Sequence, residues 1–333
     1  MRTTSAVLIA AATFAAAHSA CAEVSEVLLG QQFGAIYLPP MVMESQKLVE
    51  KHLKSSGMAD VKVTRAKLGT ASAINDAMIS SSLHFSCQGS PSTAVLWDRT
   101  RSLIGVKAVG AMASSNIWLN TRNQGISSIK DITEKDRIAV AGLKVAATAV
   151  SIQYLAAQEW GVTNYAKLDH LMITLPHPES VAALLNPMSE INIHFATSPF
   201  HEIEKKAGMK TITTFYDIWG GVTTSVNFVS SEKFRKDNPK VYAAVADAFG
   251  EALEWINDDK PRAAAHYLEL SKEKRLSQDD LVAAMNSQDL QFTRVPKNVL
   301  KQLKFLHDIG LIKSEAKSWK DLYLPEVHDL SGS

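Results

Sequence analysis

Cysteine is nearly absent: the 333 residues contain 2, Cys21 and Cys87. That excludes a disulfide-framed small domain and a cysteine-ligated zinc module, and a core of this size folds without a disulfide. Net charge is equally scarce, +1 from 35 Lys+Arg against 34 Asp+Glu. Nucleic acid and anionic membranes demand clustered positive charge, so neither is expected as a partner. No apolar run reaches the roughly 20 residues that a bilayer requires. The chain also has no G-x-S-x-G nucleophile turn, no H-E-x-x-H helix and no G-x-x-x-x-G-K-[ST] phosphate loop.

What is present begins with an address. Arg2 precedes a small-apolar run from Ala6 to Ala17, and Ala20-Cys21-Ala22 fits the small-x-small rule for cleavage before Glu23. Residues 1–22 therefore read as a signal peptide, and 23–333 as a soluble periplasmic protein. Lipidation at Cys21 is the alternative, although His18 sits where such signals carry an aliphatic residue. Cleavage removes Arg2 and leaves 34 basic against 34 acidic side chains. It also leaves Cys87 as the single thiol, expected to pack as a small apolar residue on a buried strand.

The dominant pattern is strand–helix alternation. Strands are expected at Val24–Gly30, Asp60–Thr64, Leu83–Cys87, Val106–Ala111, Ile138–Ala141, Met172–Leu175 and Ile191–Phe195. Helices fall between them, opened by Pro39-Pro40, Gly69-Thr70, Ser90-Pro91, Val145 and Pro178. Val222–Val229 alternates apolar and polar, as an exposed or crossing strand would, and from Ser231 onward the pattern is helical. Such spacing predicts α/β sheets with parallel pairs and right-handed crossovers. Interruptions at Ser114-Ser115-Asn116 and near Thr223–Val226 mark two crossings between halves.

One stretch has a partial echo. Leu83 to Ser92 reads as a strand, a turn through Gly89 and a helix start, with Ser90 as N-cap and Pro91 at the first helical position. Ile191 to Phe200 repeats the order, ending in Ser198-Pro199-Phe200. A strand that hands over to a helix offers free N–H groups and a small hydroxyl at one point. Two such points are expected to face one cleft; alternatively, Ser-Pro is simply a frequent helix start.

With these residues named, the chain resembles the substrate-binding proteins of nitrate/sulfonate/taurine-type ABC importers, in the NMT1/THI5-like superfamily. Gln31 to Pro40, Ile74-Asn75-Asp76-Ala77, Gln88-Gly89-Ser90-Pro91, Ile129-Lys130-Asp131-Ile132, Arg137-Ile138-Ala139-Val140, Phe195 to Phe200 and Asn238-Pro239 carry the resemblance. It implies a type II periplasmic-binding-protein fold: two α/β lobes, two hinge strands and C-terminal helices returning to the first lobe. By that analogy lobe 1 is residues 23–115 plus 226–333, and lobe 2 is 116–225. It further implies a small-molecule ligand, a membrane permease as partner, a monomeric receptor, no catalysis and no cofactor.

Ligands in such sheets sit at the carboxyl ends of the strands. Collected there are Gln31, Phe33, Tyr37, Gly69, Thr70, Gln88, Ser90, Pro91, Ser114, Asn116, Ala147, Thr148, His177, Ser198, Phe200 and Trp219. The set holds hydroxyls, amides, helix starts and aromatics but no Arg or Lys. It suits a small anion such as nitrate, a sulfonate or taurine, or a polar heterocycle of the pyrimidine kind against Phe33, Tyr37 and Trp219. Core packing is the alternative for each aromatic; His84 and His194 are expected to be packed or hydrogen-bonded within strands. Convergence of His170, His177, His194 and His201 on a metal is a further reading. Two other functions stand beside transport: an enzyme on the same scaffold, like the thiamine-pyrimidine synthases, and a ligand-sensing partner of a membrane receptor.

Overall fold

The computed structural model describes residues 22–32, 34–68 and 70–333, with only the backbone of Gln31. The expected signal peptide, including Cys21, lies outside the described residues apart from Ala22. Strand β1 (Glu26–Gln31) leads into α1 (Leu38–Ser45) and α2 (Leu48–Ser55), then β2 (Lys62–Lys67), α3 (Ala71–Ile79), β3 (Phe85–Gly89) and α4 (Ser90–Thr100). Strand β4 (Val106–Ser115) crosses to β5 (Trp118–Thr121). There follow β6 (Ile138–Val140), α5 (Ala147–Trp160), β7 (Met172–Thr174), α6 (His177–Leu185), β8 (Ile193–Ala196), α7 (Phe200–Lys206), β9 (Lys210–Thr214) and α8 (Phe215–Trp219). The chain returns through β10 (Thr224–Ser231) into α9 (Glu232–Asp237), α10 (Pro239–Asp258), α11 (Lys260–Ser271), α12 (Gln278–Asn286), β11 (Leu290–Phe292) and α13 (Val299–Asp308). Among the described residues no helix is long and apolar enough to cross a membrane.

These strands form two mixed sheets, ordered β11-β4-β10-β3-β1-β2 and β7-β6-β8-β5-β9. The parallel pairs β1–β2, β1–β3, β6–β7 and β6–β8 are the units that the alternation predicts. The returning strand β10 lies antiparallel between β3 and β4. The segment after β4 and the segment before β10 are therefore the two connections between sheets.

Strand β10 corrects one expectation. Its period-two polarity allowed an exposed strand, yet all eight positions are buried. The polar side chains are consumed inside: Asn227 Oδ1 accepts from the Tyr323 hydroxyl at 2.5 Å, and its Nδ2 donates to Ser90 Oγ at 3.2 Å. Burial of polar groups is tolerated where each finds a partner. On the other side Val241, Val245, Ala248, Phe249, Ala252 and Ile256 recur at helical spacing on α10, and all are buried. That face packs over α1 and α2, each large side chain contributing about 1.5–3 kcal/mol. Cys87 is a buried free thiol inside this core, and burial pushes it far above its ordinary range.

Candidate ligand-binding cleft

Three helices begin where strands end, and none is capped by a side chain. Helix α4 follows β3 with Gly89 as N-cap, α5 starts after Ala146, and α6 starts after Pro176. Side chains cap α3 (Thr70), α8 (Thr214), α9 (Ser231), α11 (Asp259) and α12 (Ser277), while the N-cap residues of α1, α2, α7, α10 and α13 also give no side-chain cap; what sets α4, α5 and α6 apart is where they point. First-turn N–H groups have no acceptor within their own helix, so the three bare starts leave donors free. They converge: Gly89, Ser92, Ala146, Ala147, Thr148 and His177 line one cavity of about 40 Å³ between the sheets. A Cβ placed on Gly89 would meet the Ala147 nitrogen at 3.7 Å, which shows how closely two of the starts face each other.

Hydroxyls complete the donor set. Thr148 Oγ1 accepts from the Ala141 amide at 3.3 Å and keeps its own hydrogen to donate. Thr197, only 7 % exposed, lines the same cavity with an Oγ1 that has no hydrogen-bond partner. Leaving such a group unpaired costs about 1–3 kcal/mol, which makes it a contact waiting for a ligand. Among the described residues no Lys or Arg lines this cavity.

His177 is held from behind. Its Nδ1 lies 2.9 Å from His194 Nε2, and His194 Nδ1 lies 2.5 Å from Glu204 Oε1. Glu204 Oε2 accepts from Asn120 Nδ2 at 2.9 Å, and Asn120 Oδ1 accepts from the Thr211 hydroxyl at 2.8 Å. Thus β5, β8, β9 and α7 together fix one ring at the mouth of α6. The ring also stacks on Phe200 at 5.6 Å. Burial, helped by nearby His194 and His201, holds His177 well below its ordinary imidazole range.

The halves touch directly across this cavity. The Ala35 amide donates to the Ser198 carbonyl at 3.1 Å, and Ser92 Oγ donates to the Val145 carbonyl at 3.0 Å. Only glycine fits at position 34, where φ is +113° and a Cβ would lie 3.2 Å from the Ser198 carbonyl oxygen.

The sequence-predicted site residues divide accordingly. Tyr37, Thr148 and His177 reach the cavity, with Ala147 beside them; Thr70 is half-buried next to the lining residue Ala71, capping α3 by accepting from Ala73 N. Phe33 and Gly69 lie outside the described residues, as does the Gln31 side chain. Ser90 is not the N-cap of α4: Gly89 takes that place, and the buried Ser90 hydroxyl donates to the Thr224 carbonyl at 2.7 Å. Pro91 is buried in the first turn of α4. Ser198 turns inward to Glu202, at 2.8 Å. Gln88 is buried against Asn75, Ser114 is buried in β4, and Asn116 is spent on Asp289 and on the Tyr216 amide.

Trp219 is core rather than cleft. It is 1 % exposed, stacks on Tyr154 at 4.3 Å and donates from Nε1 to Ser151 Oγ at 2.9 Å. Phe200 lines a second cavity of about 270 Å³ that shares Gln32 with the first and adds Lys67, Tyr267, Glu273 and Arg275. There Arg275 is tied to Glu273 by two hydrogen bonds, at 2.8 and 2.6 Å, so its charge is already matched. The larger space meets only the starts of α6 and α7, at Pro178 and Phe200, whereas the smaller one gathers the starts of α4, α5 and α6 with the unpartnered Thr197 hydroxyl and is the candidate site. His84 and His194 are hydrogen-bonded as expected. His170 pairs with Glu134 at the surface, and among the described residues no three His, Cys, Asp or Glu are grouped to hold a metal.

Sequence reasoning missed Gln32, Ser92, Thr197 and Ser225 in the cavity lining. The signal for Thr197 was there: it stands inside the small-polar turn of the Ser-Pro echo, one residue before the serine singled out.

No protein-family model matches the sequence, and no curated protein matches it significantly. Solved structures do match. The alkanesulfonate-binding protein SsuA from Xanthomonas axonopodis pv. citri, bound to MOPS, aligns with TM-score 0.66 at 12 % identity, over 89 % of this chain and 96 % of that one. The periplasmic aliphatic sulphonate binding protein SsuA from Escherichia coli aligns with TM-score 0.62 at 14 % identity, over 90 % and 98 %. The periplasmic nitrate-binding protein NrtA from Synechocystis PCC 6803 aligns with TM-score 0.61 at 14 % identity, over 90 % and 84 %. With its two mixed sheets, two crossings and C-terminal helices packed back on the first sheet, the chain has the type II periplasmic-binding-protein fold.

Proposed function

We propose that this protein is the solute-binding component of an ABC importer, closing two lobes over a small anion. The lobes are residues 23–115 with 226–333, and 116–225; the exported monomer works in the periplasm and delivers its ligand to a membrane permease. One observation carries the reading: three uncapped helix starts and two donor-capable hydroxyls converge on a cavity that no Lys or Arg among the described residues lines. Donors without formal charge recognise an acceptor-rich ligand. Trp219 is withdrawn into the core, which favours an anion over a stacked heterocycle.

Magnitudes require closure. An exposed helix start contributes about 0.3–1 kcal/mol and a partly buried one up to about 2. Micromolar affinity needs roughly 8 kcal/mol. Three desolvated starts and two hydroxyls at about 1 kcal/mol each reach that figure only in a dried, shut cleft. One water needs roughly 10–15 Å³. The cavity of about 40 Å³ therefore suits an anion of a few heavy atoms, and a longer organic tail requires the lobes to part.

Binding is favoured over catalysis because, among the described residues, no cavity hydroxyl is hydrogen-bonded to His177, whose Nδ1 faces backward to His194. Thermal-shift screening of residues 23–333 against nitrate, alkanesulfonates, taurine, carboxylates and pyrimidines tests the proposal. An anion at about 100 times its Kd adds roughly 2.7 kcal/mol of stability. Stabilisation by pyrimidines alone, or turnover of a stabilising compound, overturns it.

A further inference from the structure

His177, His194 and Glu204 form a proton line with only two polarities. With Glu204 ionised and both rings neutral, His194 Nδ1–H donates to Glu204, so His194 Nε2 must accept. His177 Nδ1–H then donates to it, and His177 Nε2 presents a bare lone pair. Among the described residues that nitrogen has no protein partner, and the ring lines the cavity. Adding one proton reverses the order: His194 Nε2–H donates to His177 Nδ1, and His177 Nε2 becomes an N–H donor.

The two states suit opposite ligands. A lone pair, backed by a buried carboxylate, repels an anion; an N–H attracts one and leaves the line without net charge. The first-turn amides of α5 are donors and the Thr148 and Thr197 hydroxyls each have a hydrogen to give, so a bare lone pair on His177 opposes the donors around it. We infer that the anion enters together with one proton, which is stored on the His177–His194–Glu204 line. The inference rests on the anion-receptor reading above. The proton comes from solvent, is held as an N–H in the closed state, and returns on release; no bond of the ligand changes.

The surroundings agree. Around His177 are His194 on β8, with Glu204 behind it, and His201 on α7, paired with Glu202; Tyr37 also lines the cavity, and exposed Glu179 lies in the same turn of α6. His201 is turned away, hydrogen-bonding the Ala196 carbonyl through Nδ1 at 3.2 Å. Glu202 sits below its ordinary range: burial raises it, and the His201 ring and Ser198 lower it further. Tyr37 is pushed above its ordinary range by burial and stays neutral. Burial holds His177 below its ordinary range, so in neither order does its own ring carry two protons near neutral pH.

Calorimetric titration with nitrate and with methanesulfonate from about pH 6 to pH 8, in two buffers of different ionisation enthalpy, tests this. Neither probe titrates in that range, so any proton belongs to the protein. The expected result is uptake approaching one proton per anion and an affinity that falls about tenfold per pH unit in the upper part of the range. In Glu204→Gln the amide N–H donates to His194 Nδ1 while its oxygen keeps Asn120, which locks the line in the donor order. That variant is expected to bind with little pH dependence and no proton uptake. Wild-type binding without proton uptake overturns the inference while leaving the receptor reading intact. Failure of both probes to bind at any pH overturns the receptor reading and the inference with it. Should Glu204→Gln not fold, the wild-type proton count decides alone.

Discussion

The Ala35 amide of the first sheet's half donates to the Ser198 carbonyl of the second's, at 3.1 Å, directly beside Gly34. In the proposed two-lobed receptor this backbone bond would hold the cleft shut. In Gly34→Ala the new Cβ would press on Ser198 at 3.2 Å and on the Phe200 ring at 3.4 Å. Strain of that kind costs about 1–3 kcal/mol and falls on the closed form. The expected outcome is a ten- to hundredfold loss of ligand affinity, with small-angle scattering that stays open on ligand addition. Wild-type compaction in the variant contradicts it.

Thr197→Val keeps the side-chain shape and removes the unpartnered hydroxyl. Without ligand the variant should be as stable as wild type or slightly more so, since a buried group without a partner is deleted. Anion affinity should fall roughly tenfold, the worth of one hydrogen bond to a charged ligand. Chemical denaturation and titration calorimetry separate the two effects.

Trp219→Ala and Ser90→Ala should behave in the opposite way. Trp219 is packed among Tyr154, Phe215 and Phe305, so its truncation is expected to cost about 3–5 kcal/mol. Ser90 bridges the Thr224 carbonyl and Asn227, and its loss should cost about 1–3 kcal/mol. In whatever fraction remains folded, affinity should stay within a few-fold of wild type.

His84 contributes to the pH dependence of ligand-free stability, beside the more deeply buried His177. Burial lowers His84 from 6.5, against the opposing pull of Glu26, and its Nδ1 accepts from the Leu28 amide at 3.2 Å. The unfolded chain therefore binds the proton more readily. Stability is full above pH 6.5 and is lost as pH falls below that value. His84→Gln retains an acceptor for Leu28, and its denaturation midpoint should vary less between about pH 7 and pH 5. An equally steep fall in the variant assigns the effect to other groups.

Elements that repeat a local rule were legible in the sequence. Pro39-Pro40 opens α1, Ala-rich 147–160 is a helix, and short apolar runs such as Ile138–Val140 are buried parallel strands. Strand β11 was not legible, because three residues carry no period and are fixed only by antiparallel pairing to β4. In the site, positions on the backbone were readable and side-chain directions were not. The Ser-Pro echo does mark two strand ends near the cleft, but both serines turn inward, to Thr224 and to Glu202. The line from His177 to Glu204 joins residues from a helix start, a strand and a second helix. No spacing rule connects those, and only the fold brings them to 2.9 and 2.5 Å.

The most direct test of an anion held by bare helix starts is residue-resolved amide hydrogen exchange, with and without saturating nitrate or methanesulfonate. The account predicts new protection at the first-turn amides of Ser92, Ala147 and Thr148, which have no acceptor inside their own helices. Unchanged exchange there, with protection confined to the outer cavity around Lys67 and Arg275, would contradict it.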